Sequence, residues 1–470
     1  MVPLPAELEQ QAAVPTGPLL PLLPPKPISR RLPSITPHPA SASPIRPGWV
    51  CETVAFPAAF PRSYKGSTKR PDEPKHNPAA APGGGRADPK EALARLIEPQ
   101  IKALQQPVSV DDAAELDRQE QLVTVANRYR PARRREGAET GLTLVFSHAN
   151  GFYREVWEPT LAVLLERLEA NGRSLPVDEV WALDCVNQGD AGLLNDDVLG
   201  DAFNWADHGR DLLNFIISFS DSPSLASSPS PSSLLRPADV PAVLTKLDNV
   251  PLLPPGPSLP SARTYRGRLF VGIGHSLGGG ATAYAASANP SLFSSLIFVD
   301  PVLPKPDIDT RGMGGLTTGA LMRRETWKTR EEARDSFLKK PFFQAWDRRV
   351  LDGYVEHGLK DVNGGVALKV TAKNEALTFM DPMAVASRRA CSRLALIPPT
   401  LPTHFVLADD GRSVLDDENI EYMIGQVPHA SSSRVKGSGH LVVHEKPDDA
   451  AQHLVEFLEK TYSKSVRAKL

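Results

Sequence analysis

The chain has 470 residues, with 53 basic against 55 acidic side chains, and a net charge of −2 gives no field for holding nucleic acid. Its three cysteines, Cys51, Cys185 and Cys391, stand far apart without a C-x-x-C pair, which excludes a disulfide scaffold and a zinc ribbon and fits a reducing compartment. No run approaches the ~18–20 apolar residues of a spanning helix. Glu7 and Glu9 stand where a secretory signal would have a basic start and an apolar run, so a soluble intracellular protein without a transmembrane segment is expected.

Proline sets the domain organisation. Of 46 prolines, 21 fall in residues 1–100 and 10 in residues 221–262, and the remainder of the chain is ordinary in composition. Repeated x-Pro steps in residues 1–47 prevent helix and ladder formation, so residues 1–90 are expected to be mostly disordered, with Trp49–Phe60 as an edge strand or docking piece. A helix follows at Glu91–Leu104 and a short strand at Gln121–Ala126. The chain then alternates: strand Leu142–Phe146, helix Val156–Ala170, strand Val180–Leu183 and helix Trp205–Phe219. After the Ser/Pro-rich stretch 221–262 come strand Leu269–Ile273, small-residue helix Leu277–Ala288 and strand Ser295–Val299. This alternation predicts an α/β fold with a mostly parallel sheet flanked by helices.

From Pro301 to about Pro398 the alternation stops, with helices expected at Leu321–Lys340 and Phe342–His357 and an extended piece at Val366–Thr371. It resumes with strand His404–Leu407, helix Glu418–Gly425, strand Ser432–Val435 and helix Asp448–Tyr462. The layout is therefore a core in two parts, 91–302 and 398–470, split by a mainly helical cap at 303–397, and such blocks cover a site at the carboxyl ends of the strands.

Gly274-His275-Ser276-Leu277-Gly278 matches G-x-S-x-G between a strand and a helix, the setting in which a serine on a strained turn is presented as a nucleophile. A serine hydroxyl needs a base, and His440 in Gly437-Ser438-Gly439-His440 follows the last strand; His404 and His444 are the competitors. The acid is Asp300, which ends the strand Ser295–Val299, or Asp409 or Asp410, which close the next one. The oxyanion donors are the N–H groups of Leu277 and of Asn150, the latter in Ser147-His148-Ala149-Asn150-Gly151-Phe152, with His148 a structural loop residue.

These stretches resemble the α/β-hydrolase superfamily over about residues 120–465. More narrowly, the chain is similar to capped serine hydrolases of the fungal toxin-biosynthesis and peroxisomal-lipase type. The likeness is carried by H-A-N-G-F at His148–Phe152, L-D-C-V-N-Q-G-D at Leu183–Asp190, G-H-S-L-G-G at Gly274–Gly279, F-V-D-P at Phe298–Pro301 and G-S-G-H-L-V-V-H-E-K-P at Gly437–Pro447. Many members have G-x-x-D after the strand here ending near Leu407. This chain instead has Ala408-Asp409-Asp410-Gly411-Arg412-Ser413, which favours Asp300, as in relatives with the acid one strand earlier.

The resemblance and the motifs together imply a serine hydrolase acting on an acyl ester or thioester, with no cofactor and no metal. The alternatives are a same-fold acyltransferase or biosynthetic enzyme and a catalytically idle binding protein. The ending Ala468-Lys469-Leu470 is a near variant of the S-K-L address read by the peroxisomal import receptor, so a peroxisomal location is expected, with the cytoplasm as the alternative. The basic cluster Arg130–Arg135 reads as a solvated turn between strands.

Overall fold

The computed structural model describes residues 17–36, 45–79, 87–133, 141–170, 175–220, 268–308 and 314–462. The strands are β1 (Trp49–Pro57), β2 (Val123–Pro131), β3 (Leu142–Ser147), β4 (Val177–Leu183), β5 (Leu269–His275), β6 (Ser295–Val299), β7 (Thr326–Trp327), β8 (Leu359–Val362), β9 (Gly365–Leu368), β10 (Thr403–Ala408) and β11 (Ser431–Val435). Eight of them form one sheet in the order β1-β2-β4-β3-β5-β6-β10-β11. The pairs from β4 through β11 are parallel, while β2 runs antiparallel to both β4 and β1.

The period-two alternation of these strands divides the core between the two faces of the sheet. Val145, Trp181, Leu183, Phe270, Leu296, Phe298, Phe405 and Leu407 point to one side. There they meet Ala92 and Leu96 of the helix Pro89–Gln105, Leu212 and Leu213 of the helix Trp205–Asn214, and the helix Leu277–Ala288. Leu142, Leu144, Phe146, Val180, Ile273, Ile297, Val299 and Val406 point to the other side. Their partners are Leu161, Leu164, Leu165 and Leu168 of the helix Glu158–Ala170, and Leu454, Val455 and Leu458 of the helix Pro447–Tyr462.

The expectation of a mostly disordered N-terminal region is corrected where the chain is described. Residues 17–36 lie along the antiparallel side of the core, with Ile28, Leu32 and Ile35 buried against Ala55, Val123, Val125 and Leu194. Proline removes ladder donors without preventing the other groups from being satisfied. Lys26 Nζ donates to the carbonyls of Leu116, Asp117 and Gln119 at the end of the helix Ala113–Arg118, and Arg210 Nε donates to Leu20 O at 2.8 Å. Trp49–Pro57 is the edge strand, and Arg130 belongs to β2, where its guanidinium donates to Glu52 across the strands at 3.0 Å. Arg134 and Arg135, the stretch 221–262 and the tail Ala468-Lys469-Leu470 lie outside the described residues. Arg268 Nη1 donates to Ser220 O at 3.1 Å.

Between β6 and β10 the structure differs from the two long helices expected. Thr326–Trp327 is a strand of a small sheet ordered β7-β9-β8, and the α-helices are Gly314–Leu321, Arg330–Leu338, Pro341–Gln344, Arg348–His357, Ala372–Phe379 and Val385–Arg393. The breaks coincide with N-caps: Thr329 accepts from Glu332 N, and Asp347 from Arg349 N.

Candidate active site

β5 runs into Ser276, whose φ of 55° and ψ of −115° are strained for a side chain with a Cβ, and the helix Leu277–Ala288 starts at the next residue. The turn closes this tightly because both flanking positions are glycine. A Cβ on Gly274 would stand 2.2 Å from Gly278 O, and one on Gly278 would stand 2.2 Å from Ser147 O. Asp300 follows β6, again at positive φ (34°), with its N–H bonded to Val406 O at 2.8 Å. His440 follows β11 on a loop turned by Gly437.

The parallel sheet thus delivers three residues from three strand ends to one place. His440 Nε2 lies 3.0 Å from Ser276 Oγ, and His440 Nδ1 lies 2.6 Å from Asp300 Oδ2. The carboxylate can only accept, so Nδ1–H donates to it and Nε2 is left to accept from the serine. Burial pushes the Asp300 carboxyl up. The hydrogen bond and charge of His440 act the other way, with the Ala408 N–H at 3.0 Å and the Ser413 hydroxyl at 2.9 Å, and the carboxyl ends below its ordinary value. A hydroxyl, an imidazole and a buried carboxylate in this sequence form a relay able to activate the oxygen as a nucleophile.

Asp409 and Asp410 do not join this group. Both are exposed, their N–H groups donate to Ser438 O, and the Asp410 carboxylate is held by Arg412. His404 lies away on β10 between Ser431 and Ser433. His148 is buried in the loop after β3, donating from Nδ1 to Ala149 O and accepting the Cys185 N–H at Nε2. These contacts fix a neutral ring, and burial lowers its pKa.

Leu277 opens its helix, where an N–H has no intrahelical acceptor. The Asn150 N–H also finds no acceptor among the described residues. The Asn150 side chain donates to Glu375 O at 3.1 Å and accepts from Gln188, while Gly151, at φ 88°, donates to Gln188 Oε1 at 2.9 Å.

Several residues of this frame carried no signal of their own in the sequence. Asn187 and Asn374 exchange side-chain-to-carbonyl hydrogen bonds, and Thr378 accepts from Asn187 and donates to Asn374 O. Glu375 sits against Gly151, paired with Arg323, and burial raises its carboxyl despite that partner. The conspicuous stretch Leu183–Asp190 has a structural part here. The Arg154 guanidinium bonds Asp184 at 2.6 Å and Asp190 at 2.8 Å, and Lys369 reaches Asp190 at 2.7 Å from beyond β9. His275, inside the G-x-S-x-G motif, donates from Nε2 to His440 O at 2.8 Å; burial and the neighbouring His440 push its pKa down to about 3.

Residues 144–453 match the alpha/beta hydrolase family. The chain belongs to this family. Among its relatives, the type I acyl-CoA thioesterase mpaH of Penicillium brevicompactum is 26% identical over 253 residues, covering 53% of this chain and 46% of that protein. The chain thus spans about half the length of that curated relative. The abhydrolase domain-containing protein ACTT2-1 of Alternaria alternata is 25% identical over 224 residues, 41% of this chain and 83% of that protein. The peroxisomal alpha-beta-hydrolase Lpx1 of Saccharomyces cerevisiae superposes with a TM-score of 0.60 over 90% of this chain and 95% of that one, at 19% identity, a likeness of fold. The alpha/beta hydrolase assignment agrees with the sheet order, and no described helix is long and apolar enough to cross a membrane.

Proposed function

We propose that this alpha/beta hydrolase cleaves an acyl ester or thioester through a Ser276–His440–Asp300 triad. The observation that carries the reading is the continuous relay of 3.0 Å and 2.6 Å contacts from a strained serine to a buried carboxylate. In this mechanism Ser276 Oγ attacks the acyl carbonyl as His440 takes its proton, and Asp300 holds the imidazole in the tautomer that can do so. The N–H groups of Leu277 and Asn150 stabilise the tetrahedral oxyanion. His440 then protonates the departing alcohol or thiol, and water, activated by the same imidazole, releases the acid and restores Ser276. The likeness to the Penicillium protein, named as a type I acyl-CoA thioesterase, supports the thioester branch.

The test is labelling with a fluorophosphonate probe. The wild-type chain is expected to label and Ser276→Ala to remain unlabelled while folded. An absence of Ser276-dependent labelling would end the enzyme reading and leave a binding protein. A chain-length panel of p-nitrophenyl esters and acyl-CoA thioesters then separates the two substrate classes, and a product transferred to an added alcohol in preference to water would identify an acyltransferase. Where Leu470 is the natural terminus, we further propose that Ala468-Lys469-Leu470 addresses the chain to the peroxisome. A reporter carrying the last twelve residues that stays cytosolic would remove that claim.

A further inference from the structure

The stretch Ala408–Ser413 stands where many relatives supply the acid, and here its aspartates face away from the relay. What it delivers is Ser413. Gly411, at φ 74°, turns the chain back, and the turn is fastened on both sides. The Asp409 and Asp410 N–H groups hold Ser438 O, Arg412 O accepts the His440 N–H at 3.2 Å, and Arg412 Nη2 reaches Glu445 Oε2 at 2.8 Å. The same Glu445 oxygen accepts the Gly439 N–H at 2.9 Å, so one clasp ties the Arg412 turn to the His440 loop. From this anchored position the Ser413 hydroxyl donates to Asp300 Oδ2 at 2.9 Å, the oxygen that also receives His440 Nδ1.

We propose that Ser413 is a positioning residue of the hydrolytic reaction, holding the Asp300 carboxylate in the orientation that aligns His440 with Ser276. The inference rests on the triad reading above and goes beyond it. Asp300 Oδ1 is held by one backbone N–H and Oδ2 by His440 and Ser413, so Ser413 is the side-chain donor that resists rotation of the carboxylate about χ2 independently of the imidazole it orients. Ser413 has a second effect on charge. A hydroxyl donating to the carboxylate lowers the proton affinity of the Asp300–His440 pair taken as a unit. Removing it therefore slows the reaction and moves the acid limb of its pH profile to higher pH.

The test uses the full chain and a fluorophosphonate probe, whose second-order labelling rate between pH 5 and pH 9 reads the serine–imidazole pair without a known substrate. Ser413→Ala is expected to label about tenfold more slowly on the plateau, as for loss of a hydrogen bond to a charged group, with its acid limb about half a pH unit higher. Ser413→Gly should behave the same way, and Ser413→Thr, which keeps the hydroxyl, should restore the rate to within about twofold. Circular dichroism establishes that each variant is folded. A plateau rate within twofold of wild type and an unmoved acid limb in both Ser413→Ala and Ser413→Gly would overturn the proposal. Ser276→Ala and His440→Ala serve as controls: if either labels at the wild-type rate, the triad reading itself has failed and Ser413 falls with it. If both are silent while the Ser413 variants are normal, the positioning role alone is refuted.

Discussion

His444 is fully buried, yet neither ring nitrogen has a hydrogen-bond partner among the described residues. Its ring packs 4.1 Å from Phe152, 4.8 Å from Trp346 and 5.8 Å from His275, centroid to centroid. Burial lowers its pKa well below the ordinary value, and the neighbouring rings His275, His440 and His148 add to the effect. The ring is therefore neutral in the folded chain, while in the unfolded chain it titrates near ~6.5. Above that pH neither state holds a proton on His444. Below it only the unfolded state does, so acidification costs stability. At pH 5.5 the loss from this ring is RT ln(1 + 10), about 1.4 kcal/mol, against about 0.1 kcal/mol at pH 7.5. Glu375 and Asp381, whose carboxyls burial pushes up, act with the opposite sign, so the total acid slope does not isolate the histidine. The comparison with His444→Leu, a side chain of similar volume, does isolate it. Urea unfolding at both pH values should show the variant gaining about 1.3 kcal/mol on wild type between pH 7.5 and pH 5.5. An identical pH dependence in the two proteins would mean that His444 takes up its proton as readily in the folded state as in the unfolded one and would refute the reasoning.

Asp300→Asn is expected to lower the fluorophosphonate labelling rate by about four orders of magnitude, as when a triad acid is replaced by an amide that holds the imidazole in the wrong tautomer, whereas Asp410→Asn, which alters a surface pair with Arg412, should leave it within about twofold. Gly278→Ala forces a Cβ to 2.2 Å from Ser147 O, a backbone atom that cannot move aside alone; thermal melts should show a loss of about 3 kcal/mol or an unfolded chain. Lys369→Met removes one of the two cations on buried Asp190, and because Arg154 remains the expected loss is about 2 kcal/mol by urea unfolding.

Much of the core was legible because its physics is local. The strands Leu142–Ser147, Leu269–His275 and Ser295–Val299 are apolar runs bounded by loops, and the helix Leu277–Ala288 begins where the sequence places it. The block between β6 and β10 was harder to read. Its breaks depend on the caps Thr329 and Asp347, and its small sheet pairs Trp327 with Val366, residues too far apart for any local pattern to connect. The N-terminal stretch misled for a related reason: proline content speaks to ladder donors and is silent on whether Ile28, Leu32 and Ile35 find a surface to cover.

Composition and proline distribution by themselves excluded a disulfide scaffold and marked residues 1–100 and 221–262 as unlike the rest. The motifs by themselves named Ser276, His440 and a short list of carboxylates as candidates. Only the tertiary structure decided which carboxylate faces the imidazole. Asp300 and Asp410 both follow strands that end at the same edge of a parallel sheet, and the motifs favour Asp300 without excluding Asp410. The parallel register of β10 on β6 and the backward turn at Gly411 bring Asp300 to 2.6 Å from His440 and Ser413 to 2.9 Å from Asp300, while Asp410 turns outward to Arg412. Those separations depend on contacts more than a hundred residues apart in the chain, which side-chain identity alone does not encode.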